Sequence, residues 1–162
     1  MADFYSAVTV HPEKIPADAF TETEKTILER MGFTFYQLNG NGKGKNYVYL
    51  SSFDYSGSVY LEAEEVIELG FVNNNIFLEN VEDMELGEDY VTDIFKRICK
   101  EHNIPFIYMQ GNTSCSVCRA DSFGGWAVFI TAKSVTAMST AEWISKKMAK
   151  INNKRRLANG EI

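Results

Sequence analysis

Apolar and polar residues alternate along Tyr5-Ser6-Ala7-Val8-Thr9-Val10, the two-residue period of a half-buried strand. His11-Pro12 ends it, because proline has no amide to donate to a ladder. From about Asp18 to Met31 the period changes. Phe20, Ile27, Leu28 and Met31 recur on one side of a helix, Thr21 or Asp18 can cap its start, and Gly32 supplies a left-handed stop. Phe33 to Leu38 is aromatic and β-leaning. Asn39 to Asn46 is turn chemistry, and Tyr47 to Leu50 is again a strand, so a hairpin is predicted. Gly57 to Leu61 is β-rich, Val66 to Leu69 extends it or forms a short helix, and Phe71 to Leu78 is a further candidate strand.

The clearest helix follows Gly87-Glu88-Asp89. From about Tyr90 to His102, Val91, Ile94, Phe95, Ile98 and Cys99 share one face while Asp93, Lys96, Arg97, Lys100 and Glu101 share the other. Acidic residues at its start and His102 at its end suit the helix dipole. Pro105 stops continuation; Ile104 to Met109 and Trp126 to Thr131 are predicted core strands. A last helix opens with the capping box Ser139-Thr-Ala-Glu142 and carries Trp143, Ile144, Met148 and Ile151. Strands joined by short turns, without a regular βαβ period, predict an α+β fold: mainly antiparallel sheet with two to three packed helices. One domain over residues 1–151 and a basic, frayed tail over 152–162 are expected.

Composition sharpens this outline. With 162 residues, 45% hydrophobic and 13% aromatic, the chain can bury a full core without disulfides. An odd three cysteines, no basic-then-apolar start and no apolar run of membrane-spanning length predict a cytoplasmic protein with no membrane role. The net charge of −6 is unevenly spread. Glu62 to Asp93 holds eleven acidic residues and no Lys or Arg, whereas Ser145 to Ala158 holds six basic residues and no acidic one. Blocks of one sign bear on partners and solubility.

Candidate chemistry begins with Cys99-Lys-Glu-His102 and Cys115-Ser-Val-Cys118. Two pairs with two-residue gaps match a tetrahedral Cys3His zinc site in ligand type. The alternative is that Cys99 packs as a small hydrophobe and His102 closes a helix. A redox role for Cys115 and Cys118 needs a helix N-terminus, but Ala120 to Gly125 has loop composition. Cys115 as a nucleophile with His102 as base has no local signature; His11, the other histidine, sits at a strand end. Gly40, Gly42 and Gly44 with Lys43 and Lys45 open into a strand and lack the hydroxyl of a phosphate loop. Asp83 to Asp89 lacks calcium-loop spacing. These patterns favour binding over catalysis. An array of carboxylates can imitate nucleic-acid phosphates and occupy a basic groove on a partner, and Glu79, Glu82, Asp83, Glu85, Glu88 and Asp89 are the candidate residues. The basic tail lacks the interleaved aromatics of a base-stacking segment, so direct nucleic-acid binding is not favoured.

Phe106-Ile-Tyr-Met-Gln-Gly, Cys115, Arg119-Ala-Asp-Ser-Phe-Gly-Gly-Trp-Ala-Val-Phe-Ile-Thr131, Met138-Ser-Thr140 and Glu142-Trp143 form a recurrent pattern. The segment from about 105 to 145 resembles a set of small uncharacterised proteins carried on plasmids, phages and other mobile elements. That set does not regularly carry a second cysteine at the position of Cys118. The resemblance implies a genomic setting and no chemistry. In the same segment Arg119, Asp121 and Phe123, with Cys115, are the loop residues expected to touch a partner, and Gly124 and Gly125 are expected in turn conformations open only to glycine. The function expected is a non-enzymatic interaction or inhibitor protein whose acidic face binds a protein partner, with a nucleic-acid-binding protein as one form and a homodimer possible. The alternatives are a small zinc-binding module held by Cys99, His102, Cys115 and Cys118, or a cysteine-dependent enzyme.

Overall fold

The computed structural model describes residues 4–39, 46–72, 78–115 and 124–158. Its strands are β1 (Phe4–His11), β2 (Ile15–Pro16), β3 (Phe33–Asn39), β4 (Asn46–Ser52), β5 (Val59–Leu61), β6 (Met84–Leu86), β7 (Ile107–Cys115), β8 (Gly124–Ile130) and β9 (Val135–Ser139). Its helices are α1 (Glu22–Arg30), α2 (Ala63–Glu68), α3 (Glu88–Glu101) and α4 (Thr140–Ala158). Seven strands form one antiparallel sheet in the order β3-β4-β1-β7-β8-β9, with β2 continuing the track of β1 beside β4; β5 and β6 form a separate ribbon. The fold is α+β, as the mixed periodicities predict.

Two crossovers build the core. β1 and β3 are both antiparallel to β4, so they run parallel, and α1 bridges them. β4 and β7 flank β1 in the same way, bridged by the segment containing α3. Both helices cover one face of the sheet. Ile27, Leu28 and Met31 of α1 and Val91, Ile94, Phe95 and Ile98 of α3 close over Val8, Val10, Leu50, Ile107, Met109 and Ile130. Burying side chains of this size contributes about 1.5–3 kcal/mol each.

α1 starts later than its apolar spacing predicts. Ala17–Ala19 form a 3-10 turn, and Thr21 takes the cap. Thr21 Oγ1 accepts from the Glu24 amide at 3.2 Å, and Glu24 Oε2 accepts from the Thr21 amide at 2.8 Å. Arg97 of α3 then donates to both Glu24 oxygens at 2.9 and 2.7 Å, and to the Ala19 carbonyl at 2.9 Å. The nearly buried Glu24 carboxylate is thus a structural clamp between α1 and α3. Breaking it through Arg97→Ala leaves that charge unpaired, with an expected cost of roughly 2–4 kcal/mol in urea unfolding.

Other departures have local causes. Val66 lies in a helix, because Glu62 and Glu65 make a capping box ahead of it. Phe71 and Val72 form a bend and Leu78–Asn80 a 3-10 turn, so the described ends of that candidate strand are not extended; residues 73–77 lie outside the described residues. Gly124 and Gly125 are strand residues rather than left-handed turn residues. The Gly125 amide donates to Thr140 Oγ1 at 3.1 Å, and a Cβ built there would lie 3.2 Å from Thr140 Cγ2. α4 runs to Ala158 and passes the expected boundary at 151 without a break.

Tyr55 is buried against Phe33 and Trp126, and its hydroxyl has no hydrogen-bond partner among the described residues. Burial, and then the Glu88 charge, push its pKa well above the usual tyrosine value. Tyr55→Phe removes an unsatisfied buried group, so the melting temperature is expected to hold or to rise by the equivalent of about 1 kcal/mol.

Candidate functional site

The acidic block folds as one module. β5 pairs with β6, α2 leads out of β5, and α3 begins just after β6. Of the eleven carboxylates from Glu62 to Asp93, only Glu65 is partly covered; the others are exposed. Their roles differ. Asp83 accepts from the Tyr60 hydroxyl at 2.6 Å and from the Ala63 amide at 3.0 Å, so it anchors the start of α2 and raises the Tyr60 pKa. Glu65 accepts from the Glu62 amide at 3.1 Å and from Arg30 at 2.7 Å, and these contacts hold its carboxyl below the usual range. Arg30 also donates to the Tyr60 carbonyl at 2.9 Å, fastening the module to α1. Asp93 pairs with Lys96 at 3.2 Å. Among the described residues no basic side chain pairs with Glu79, Glu82, Glu85, Glu88 or Asp89.

The second surface is the face of the sheet turned away from α1 and α3. None of the seven strands contains an Asp, Glu, Lys or Arg, in a chain where 23% of residues are charged. The uncovered face of an antiparallel sheet is ordinarily polar and solvated. Here it is a groove of about 970 Å³. Its floor carries small or neutral side chains at the centre of the sheet (Ala7, Thr9, Ser51, Gln110, Ala127). One wall is Tyr36, Tyr49 and Phe53, and the other is Met138 of β9 with Trp143 of α4. Register produces this shape: Thr9 faces both Ser51 and Gln110, Gln110 faces Ala127, and Ala127 faces Met138. Along the same face, beyond the groove, His11 stacks on Tyr108 at 4.7 Å. Periodicity reasoning missed this surface because it located strands without asking what their second face carries. The missing charge was the available signal.

The cysteine and histidine candidates are separated. Cys99 is 2% exposed at the end of α3, with its Sγ 3.9 Å from the Ile130 carbonyl; burial raises its pKa. His102 closes the same helix through its amide, which donates to the Ile98 carbonyl at 3.0 Å. Ile130 pairs with Ile107 at the start of β7, while Cys115 ends that strand opposite Phe4. Eight residue steps along the strand separate Ile107 from Cys115 by about 26 Å. The fold therefore does not bring the Cys99 and His102 pair to Cys115. Cys118, Arg119, Asp121 and Phe123 lie outside the described residues, as does the Gly40–Lys45 tip. Among the described residues no three His, Cys, Asp or Glu side chains gather as metal ligands. No imidazole there hydrogen-bonds a Ser, Thr or Cys side chain. In a Cys115→Ser, Cys118→Ser variant, the remaining Cys99 thiol is expected to react with a disulfide reagent at least about 100-fold more slowly than the same protein in urea. Equal rates would show that Cys99 is accessible.

The described residues thus present two surfaces, an exposed acidic module and an uncovered sheet face without charged side chains. Comparison with protein-family models, curated proteins and solved structures finds no match. Among the described residues no helix is long and apolar enough to cross a membrane.

Proposed function

We propose that this chain is a non-enzymatic interaction protein that binds a partner protein through its acidic face. The observation that carries the reading is the set Glu79, Glu82, Glu85, Glu88 and Asp89. These carboxylates are exposed on one folded module and, among the described residues, have no basic partner to neutralise them. Asp83 belongs to the face but serves to hold it, so it is separated from the contact set. A fixed array of unneutralised carboxylates attracts a basic groove of the kind that receives nucleic-acid phosphates. The partner is therefore a nucleic-acid-binding protein. The resemblance of the C-terminal segment to mobile-element proteins makes an inhibitor of host defence the concrete form, acting in the cytoplasm.

Salt distinguishes this mode of binding. When the immobilised chain captures partners from cells, those held by the acidic face are expected to elute between low and moderate salt, as screening shortens to about 3 Å near 1 M. A partner retained at the highest salt is held by apolar contact, and that result would exclude the acidic face as its seat.

A further inference from the structure

Helix α4 and the sheet groove are each unpartnered. The described side chains of α4, from Thr140 to Lys150, are exposed, including Trp143 at 49%, Ile144 at 50% and Met148 at 58%. Ile144 and Met148 lie four residues apart on one stripe, with Trp143 beside them. The helix meets its own chain mainly at β8 and β9, near the Gly125–Thr140 contact, and Trp143 forms part of the groove wall. It therefore leaves from the rim of its own groove and does not cover the floor. A chain carrying both an open apolar ridge and an open apolar groove fits a second copy of itself.

Charge selects the same occupant. Residues 1–139 hold twenty acidic and ten basic side chains, net −10, while α4 holds one acidic and six basic, net +5. A body of that sign attracts the basic helix of another copy and repels a nucleic-acid strand, although aromatic sheet faces elsewhere do stack bases. Size agrees. A helix of 19 residues is about 28 Å long and, at about 10 Å across, covers on the order of 300 Å². Two reciprocal helices, each with its groove, then bury about 1,200 Å² in total, the lower bound of a specific interface.

We propose that the chain forms a two-fold homodimer in which α4 of each copy lies in the open sheet groove of the other. Ile144 and Met148 are the anchors, Trp143 stays in the wall of its own groove, and Ala7 and Ala127 give the floor its depth. Glu88 of the acidic module lies beside Ala127, Met138 and Glu142 at the edge of the groove, and the self-association is read without any other protein present, so this inference does not depend on the acidic face having a partner.

Light scattering on the full chain at tens of micromolar should give twice the mass of one chain. Ile144→Glu with Met148→Glu, which alters the ridge, should give the mass of one chain with unchanged circular dichroism. Ala127→Arg, which fills the floor, should do the same. Mixing the two variants in equal amounts leaves one intact helix-in-groove contact per pair, about 600 Å², so the mixture should associate more than either variant alone but less than the unaltered chain. A mixture that associates no more than either variant alone would overturn the helix-in-groove arrangement. A single-chain mass for the unaltered protein would overturn the dimer, as would a dimer that both variants leave intact. Groove-dependent binding of a labelled oligothymidine by a monomer would assign the groove to single-stranded nucleic acid instead. If either variant loses its circular dichroism, Tyr49→Ala for the groove or Met148→Ala for the ridge takes its place.

Discussion

Replacing Gly32 by alanine should destabilise the protein by roughly 2–5 kcal/mol, from a left-handed backbone penalty and an overpacked contact together. Gly32 follows α1 with φ +94°, and a Cβ built on it would lie 2.3 Å from the Asp54 carbonyl oxygen. The obstacle is backbone, which cannot rotate away as a side chain could. That backbone belongs to the turn after β4, where Phe53 forms the groove wall and is 76% exposed while Tyr55 is buried. The Ser56 amide donates to the Met31 carbonyl at 3.2 Å and ties the same turn to the helix end. Against a typical domain stability of 5–15 kcal/mol this is a large fraction. Urea unfolding of the alanine variant measures it, and a change below about 1 kcal/mol would mean the turn shifts freely.

Reversing Glu79, Glu82, Glu85, Glu88 and Asp89 to lysine should weaken partner binding more than a hundredfold while the fold persists. Five such changes move the net charge from −6 to +4. A solvated interfacial pair contributes about 0.5–1 kcal/mol, so losing five attractions gives roughly 3 kcal/mol or more, and 1.4 kcal/mol is a factor of ten. The fold should persist, because these five side chains are exposed; lysine at 88 and 89 in the first turn of α3 should cost about 0.3–1 kcal/mol each against the helix dipole. Asp83→Asn makes the contrast. It loses an acceptor of the Tyr60 hydroxyl and Ala63 amide bonds, so it should lower the melting temperature and weaken binding only modestly. If the reversed protein binds as before, the acidic face is not the contact surface.

The fold was legible where local chemistry acts alone. α3 announces itself through Val91, Ile94, Phe95 and Ile98 at helical spacing, and the β3–β4 hairpin through the turn residues between two aromatic strands. β6 and β9 were not legible. Three residues at Met84–Leu86 and five at Val135–Ser139 carry too short a pattern, and their pairing with β5 and β8 exists only once those partners are in place. The order of strands depends on crossovers over dozens of residues, which no local signal encodes. Of the candidate site, the acidic block was visible as composition. Its division into structural carboxylates (Asp83, Glu65) and unengaged ones came from hydrogen bonds alone. The groove was present in the sequence as seven strands without a charge, and needed only the pairing register to become a surface.

If the exposed carboxylates stand in for nucleic-acid phosphates, duplex DNA must displace them from the partner. The measurement is elution: partner captured on the immobilised chain at low salt is eluted with duplex DNA, and in parallel with dextran at matched mass and ionic strength. Release by DNA and not by dextran is expected, because DNA competes for the same basic groove. Partner that stays bound under saturating DNA would contradict it.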